Sequence, residues 1–110
     1  MNQEINSQQI LKLSNQLFTK LPQLLKYFNI DHIEYPNRFA FACPIHGGDN
    51  AEGCTIFTDG NTAKGNWNCW TNHCEEDFSR NLFGFIRGVL SNKRASTVNI
   101  IDTITFCLEF

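Results

Sequence analysis

The sequence has little excess charge of either sign, and it lacks any apolar run long enough to cross a bilayer. Nine Lys and Arg residues stand against eleven Asp and Glu residues, which gives a formal charge of −2 at pH 7 and a pI near 5.8. The chain is therefore not a polycation that coats nucleic acid indiscriminately, and any nucleic-acid site has to be local. The missing apolar run argues against a membrane as partner.

A signal peptide and an even set of cysteines are also missing. The first residues, Met1 to Glu4, have neither a basic stretch nor an apolar run, and the chain contains five cysteines. Both observations predict a reducing, cytoplasmic setting, where clustered Cys and His side chains bind metal or do chemistry more often than they form disulfides. With 110 residues and 12.6 kDa, the chain has room for one small domain.

Residues 1–35 form the first predicted unit, an N-terminal helical segment. Three apolar residues share one face of a first helix: Ile10, Leu13 and Leu17. Pro22 ends this helix and suits the first turn of a second, shorter one. We interpret both helices as packing elements.

Residues 36–110 form the second predicted unit, which begins where the apolar period changes to two. Residues 38–43, 54–58 and 65–70 each have the composition of a short strand, and Asp59-Gly60 is typical of a hairpin turn. Two helices follow, over residues 81–90 with Ser79 as cap and from Ser96 or Thr97 to Phe110. The predicted fold class is α+β, with a small antiparallel sheet flanked by N-terminal and C-terminal helices. Cys43-x2-His46 and Cys69-x4-Cys74 at the strand ends give the sheet the layout of a zinc ribbon.

Two pairs of metal-ligand residues lie on short turns at the ends of predicted strands. Cys43-x2-His46 and Cys69-x4-Cys74 are separated by a segment that reads as a β-hairpin. Zinc binds thiolate and imidazole tetrahedrally, and a small domain gains folding energy when one ion joins two such turns. The spacing therefore predicts one structural Zn²⁺ held by Cys43, His46, Cys69 and Cys74.

The fourth ligand has an alternative in the adjacent His73. We favour Cys74, because thiolate is the softer ligand and the first pair already supplies an imidazole. Cys54 and Cys107 have no partner at ligand spacing and are expected to be core thiols, although Cys54 lies between the two turns and can compete for the ion.

Catalysis is not expected within this chain. Four protein ligands leave the metal no open position, and the Cys-x-x-Cys of thioredoxin-like redox sites is missing. There is also no His-x-Glu followed by Pro-Cys-x-x-Cys, the signature of zinc deaminases. A free-standing metalloenzyme, such as a small nuclease, is therefore the function that we expect least.

Several motifs together resemble a known family. Cys43-Pro44-Ile45-His46, Trp67-Asn68-Cys69, Cys74 and the Phe-Gly-Phe stretch of residues 83–85 are similar to the Cys-His-Cys-Cys zinc-binding domain of bacterial and phage DNA primases. The likeness covers about residues 36–110. Two departures, the wider Cys69-x4-Cys74 spacing and the Gly-rich residues 47–52 after the histidine, indicate a divergent, phage-type branch.

The resemblance implies a module that recognises template and does not itself polymerise. Such a domain binds single-stranded DNA at initiation sites and helps to deliver the RNA primer, while a separate polymerase domain joins ribonucleotides. The implied partners are therefore the single-stranded DNA template, the RNA primer, the primase polymerase domain and a replicative helicase. We expect the chain to be the N-terminal part of such a nucleotidyltransferase, acting in the bacterial cytoplasm.

Aromatic, basic and amide side chains near the ribbon provide candidate DNA contacts. Aromatic rings stack on unpaired bases, cations neutralise phosphates, and amides read base edges. The candidates are Arg38, Lys64, Asn66, Trp67, Asn68 and Trp70. Trp67 and Trp70 are three residues apart in a strand and so point to opposite faces; Trp67 can equally be core. The alternative function is a zinc ribbon for protein–protein interaction or transcription control.

Overall fold

The computed structural model describes residues 7–58, 66–94 and 96–110, and it confirms the predicted α+β class. The described part of the chain contains five helices and one antiparallel sheet of four strands. In chain order the elements are α1 (Ser7–Thr19), α2 (Leu21–Tyr27), β1 (His32–Tyr35), β2 (Arg38–Phe41), β3 (Cys54–Phe57), β4 (Trp67–Cys69), α3 (Glu75–Phe78), α4 (Leu82–Arg94) and α5 (Ile100–Glu109).

The four strands lie in the order β1-β2-β3-β4, each antiparallel to the next. Residues directly opposite each other share a face, and faces alternate along a strand. Six buried residues make up the inner face on the three strands β2 to β4: Phe39, Phe41, Cys54, Ile56, Trp67 and Cys69. The outer face carries the residues between and beside them: Ile33, Tyr35, Arg38, Ala40, Thr55, Phe57, Asn66 and Asn68.

The core lies between the inner face and the helices. Phe85 of α4 packs edge-on against Phe41 and Trp67, with ring centroids 5.6 and 5.4 Å apart. Helix α1 packs against α2, α4 and α5, so that the N-terminal helices share one core with those that follow the sheet. Leu13 and Leu17 are buried in it, as the amphipathic pattern predicts.

Strand β1 departs from the expectation of a helical segment through residue 35. Helix α2 ends near Asn29, which has a positive φ of 60°, and Ile30 N–H donates to the Leu25 carbonyl at 2.9 Å. This left-handed termination turns the chain away from the helix. The sheet therefore begins at His32 and not after Pro36.

The helix caps also differ from those predicted. Asn81 caps α4, because its Oδ1 accepts the Gly84 N–H at 2.8 Å, whereas Ser79 lies outside the helix with φ 99°. Asn99 caps α5 by accepting the Asp102 N–H at 2.7 Å, so this helix begins later than Ser96 or Thr97. The predicted Asp59-Gly60 turn lies outside the described residues.

Gly84 is required where α4 meets the preceding turn. A Cβ on Gly84 would overlap the Ser79 carbonyl oxygen, whereas a Cβ on Gly88 would meet the flexible end of Ile45 at 2.6 Å. Gly84→Ala should therefore lower the free energy of unfolding by about 1–3 kcal/mol. Gly88→Ala is the matched control and should cost less, since Ile45 can move and alanine favours helix by about 1 kcal/mol. Denaturant unfolding measures both, and equal losses would contradict the prediction.

Across residues 7–58, 66–94 and 96–110, no helix combines the length and the apolar character needed to span a membrane.

Candidate metal centre and outer sheet face

The structure brings Cys43, His46, Cys69 and Cys74 together at one end of the sheet. Their ligand atoms all lie within 4.8 Å of one another. Cys43 follows the end of β2, Cys69 is the last residue of β4, and Cys74 immediately precedes α3. These four side chains can hold one metal ion.

The distances within the cluster fit a four-coordinate ion. Tetrahedral bonds of zinc length, about 2.3 Å to sulfur and about 2.0–2.1 Å to nitrogen, place two sulfurs about 3.8 Å apart and a sulfur and a nitrogen about 3.6 Å apart. The Sγ atoms of Cys43 and Cys74 are 3.9 Å apart. His46 Nδ1 lies 3.5 Å from Cys69 Sγ and 3.4 Å from Cys74 Sγ. These three distances are compatible with a four-coordinate ion of this size.

The first turn is held by its own backbone and by α4. Gly48 N–H donates to the Cys43 carbonyl at 3.0 Å, and Gly47 has a φ of 74° that favours glycine. Asn92 of α4 donates through Nδ2 to the Pro44 carbonyl at 2.9 Å. The His46 ring lies against Gly48, where a Cβ would approach Nε2 to 2.9 Å. The turn thus fixes where the imidazole stands.

Polar side chains from the second turn contact the ligand atoms. Thr71 Oγ1 lies 3.3 Å from His46 Nε2, which gives the second ring nitrogen a partner and leaves Nδ1 facing the sulfurs. Asn72 Nδ2 donates to Cys74 Sγ at 3.6 Å. Such outer contacts orient metal ligands and tune their basicity.

His73 is not part of this cluster and lies instead beside Glu75 and Glu76. It adopts a left-handed φ of 52°, is exposed, and places Nδ1 3.6 Å from Glu75 Oε2. Of the two alternatives for the fourth position, the structure brings Cys74 to the cluster and pairs His73 with a carboxylate.

The remaining cysteines are buried, as expected of core thiols. Cys54 pairs directly opposite Cys69 on the neighbouring strand. The hydrogen bond between Cys54 and Cys43 holds the pKa of Cys43 well below its usual range and raises the pKa of Cys54. Cys54 therefore stays a protonated donor beside the cluster. Burial raises the pKa of Cys107 to about 12, so it too remains a neutral thiol.

The outer face gathers three of the predicted DNA contacts. Arg38, Asn66 and Asn68 are half-buried on it, and Arg38 lies with its guanidinium 4.1 Å from the Tyr35 ring centroid. Trp70, which follows Asn68 by two residues, is 55 % exposed. Lys64 lies outside the described residues.

Trp70 is held in place on the outer face. Its Nε1 donates to Thr55 Oγ1 at 2.9 Å, and its backbone N–H donates to the Gly53 carbonyl at 2.8 Å. The indole is thus both exposed and oriented, as a stacking platform for a base needs to be.

Trp67 does not belong to this surface. It is 0 % exposed, packs on Phe85, and donates through Nε1 to the Ser79 carbonyl at 2.7 Å. Its assignment to DNA binding is corrected: β4 is covered by α4 on the inner face, and that face contains Trp67.

Sequence reasoning missed Tyr35 and Phe57, two half-buried aromatic residues of the outer face. Tyr35 OH donates to Glu52 Oε1 at 2.8 Å, and this hydrogen bond raises the pKa of Tyr35. A signal for β1 was present in the alternation of residues 32–35 ahead of the turn at Pro36-Asn37.

The metal centre and the outer face are the two features from which function has to be inferred. They lie on opposite sides of β4 and its end, since Cys69 stands between Asn68 and Trp70. No protein-family model, curated protein or solved structure matches this chain.

Proposed function

We propose that this chain is the zinc-binding, template-recognising domain of a DNA primase of the bacterial and phage type. The observation that carries the proposal is the position of Cys69 between two outer-face residues, Asn68 and Trp70, so that one structural ion fixes the strand end that presents them. The ordered motifs that resemble the primase domain support the same assignment.

The ion in this proposal is Zn²⁺ with a structural role. Three thiolates and one imidazole in tetrahedral spacing are a ligand set that zinc prefers over harder cations. Four protein ligands close the coordination sphere, so the ion stabilises the fold and takes no part in a reaction. Primer synthesis is assigned to a polymerase domain outside these 110 residues, and the setting is the cytoplasm in which that enzyme replicates DNA.

Single-stranded DNA would lie across the outer face. Trp70 offers an oriented ring on which a base can stack, Arg38 offers a cation for a phosphate, and Asn66 and Asn68 offer amides for base edges. A single site of this kind is compatible with a chain of net charge −2, because the DNA interacts with the charged side chains near the site and not with the net charge of the whole chain. RNA primer, polymerase domain and helicase remain partners implied by the resemblance.

Trp70→Ala should weaken binding of a short single-stranded DNA by about 1–3 kcal/mol, because one stacking contact is lost. This corresponds to about 5- to 150-fold in Kd, measurable by fluorescence anisotropy with the zinc-loaded chain. Tyr27→Ala is the matched control, since Tyr27 is an equally exposed aromatic on α2, away from the sheet. Equal Kd values for Trp70→Ala and the parent chain would remove Trp70 from the site.

Arg38→Ala should flatten the salt dependence of the same binding reaction. Loss of one phosphate contact reduces the slope of log K against log salt by about 0.7 for a single strand. Lys12→Ala on α1 removes an exposed cation elsewhere and should leave the slope unchanged. An unchanged slope in Arg38→Ala would exclude a phosphate contact at this residue.

The second candidate function is docking of a protein partner. Ile101 and Leu108 are seven residues apart on α5, hence on one side of it, and both are exposed. A zinc-loaded parent chain that binds no single-stranded DNA at low salt would favour this function over the first.

A further inference from the structure

Glu75 is a buried carboxylate next to the metal centre. It is the first residue of α3, directly follows Cys74, and is 2 % exposed. A buried carboxylate is costly unless hydrogen bonds or opposite charges compensate it. Its Oε1 accepts the Cys69 N–H at 2.8 Å, and its Oε2 lies 3.6 Å from His73 Nδ1 and 4.0 Å from Arg80 Nη2.

These contacts close the loop that carries both ligands of the second pair. Glu75 holds the N–H of Cys69, while the Cys69 carbonyl accepts the His73 N–H at 2.8 Å. Both backbone polar groups of Cys69 are thus bound within residues 69–75, the segment that also contains Cys74. Asp77 N–H donates to the Cys74 carbonyl at 3.0 Å, which joins this second ligand to α3.

We propose that Glu75 is a positioning residue of the metal centre. Four residues separate Cys69 from Cys74, and a loop of this length has many conformations in which the two sulfurs do not face one ion. The hydrogen bond from the Cys69 N–H to the Glu75 carboxylate selects the conformation in which they do. This inference rests on the metal centre and is independent of DNA binding.

Arg80 and His73 complete the arrangement at the second carboxylate oxygen. Glu75 directly follows Cys74 and accepts the Cys69 N–H, so its buried charge lies beside two of the candidate ligand residues and needs compensation. Arg80 Nη2 and His73 Nδ1 both face Oε2, which leaves Oε1 to the Cys69 amide. A carboxylate held from both sides keeps a single orientation.

Two replacements of Glu75 separate positioning from space filling. Glu75→Met retains length and volume but offers no oxygen to the Cys69 N–H, whereas Glu75→Gln retains an acceptor oxygen. Asp77→Asn changes an exposed carboxylate of the same helix and is the matched control. Zinc affinity is measured on the purified full chain by competition with a chromophoric chelator, and the ligand geometry by the visible absorption of the Co²⁺-loaded chain.

Glu75→Met should lower zinc affinity by about 10- to 100-fold, the usual effect of losing an outer-shell partner, and should shift the Co²⁺ bands. Glu75→Gln should recover most of the affinity, and Asp77→Asn should equal the parent chain. Parental affinity and parental Co²⁺ bands in Glu75→Met would overturn the role of Glu75. A parent chain that takes up no zinc would overturn the metal centre, and this inference with it.

Discussion

Replacing Cys74 with alanine should abolish stoichiometric zinc binding, whereas replacing the adjacent His73 should leave it intact. Cys74 Sγ lies 3.9 Å from Cys43 Sγ and 3.4 Å from His46 Nδ1, while His73 pairs with Glu75. Zinc binding in small domains contributes about 10–16 kcal/mol of apparent free energy that is also folding free energy. Losing one of four ligands should therefore cost several kcal/mol and unfold much of the domain.

Metal content per chain, together with thermal unfolding followed by circular dichroism, tests this expectation. Cys107→Ala controls for the loss of a buried thiol, because Cys107 lies outside the cluster. It should retain one ion per chain and lose only the packing of its side chain. One ion retained in Cys74→Ala, or lost in His73→Ala, would reverse the ligand assignment.

The second large effect is expected at Trp67. Trp67→Ala should lower the free energy of unfolding by about 3–5 kcal/mol, the range for deletion of a buried aromatic side chain. The change removes the ring contact with Phe85 and leaves the Ser79 carbonyl without its indole partner. The backbone N–H of residue 67 also donates to the Arg80 carbonyl at 3.1 Å, and alanine retains this bond, so the loss comes from the side chain alone.

Trp70→Ala provides the comparison for this effect, since both tryptophans flank Cys69 but face opposite sides. Trp70 is exposed, and its loss should cost less than about 1 kcal/mol in denaturant unfolding. Similar losses for the two variants would contradict the burial that distinguishes them. Together with the DNA titration, the pair separates a residue that stabilises the fold from one that we propose to contact DNA.

The cluster of Cys and His side chains that can hold a metal ion could be predicted from sequence because each of its two pairs is local. Cys43 with His46, and Cys69 with Cys74, are close enough along the chain that short turns constrain them, and two such pairs at strand ends imply convergence. The α+β class was predictable for a similar reason, since apolar periods of 3.6 and 2 identify helices and strands within short windows.

Which particular residues are buried was harder to predict from the sequence. Alternation along β4 shows that Trp67 and Trp70 face opposite sides, yet it does not reveal which side another element covers. That depends on α4 and its Phe85, which lies eighteen residues after Trp67 in the chain. The same limit explains why Tyr35 was missed, because β1 becomes part of a sheet only through its register with β2.

Glu75 had no sequence signal at all. An acidic residue beside another, in the run Glu75-Glu76-Asp77, is typical of a solvated helix start. Its function emerges only when the loop of residues 69–75 has closed and brings the Cys69 amide to its carboxylate.

The order of the strands has a kinetic consequence. Each strand pairs with its neighbour in the chain without a crossover, so the sheet can grow strand by strand in chain order. The contact between Cys43 and Cys74 spans 31 residues, and we expect it to close later than the strand pairs because a longer loop costs more entropy to close. Metal capture that follows the transition state slows unfolding more than it accelerates folding. A bound ion would then act mainly by slowing unfolding, and it would determine how long the domain stays folded.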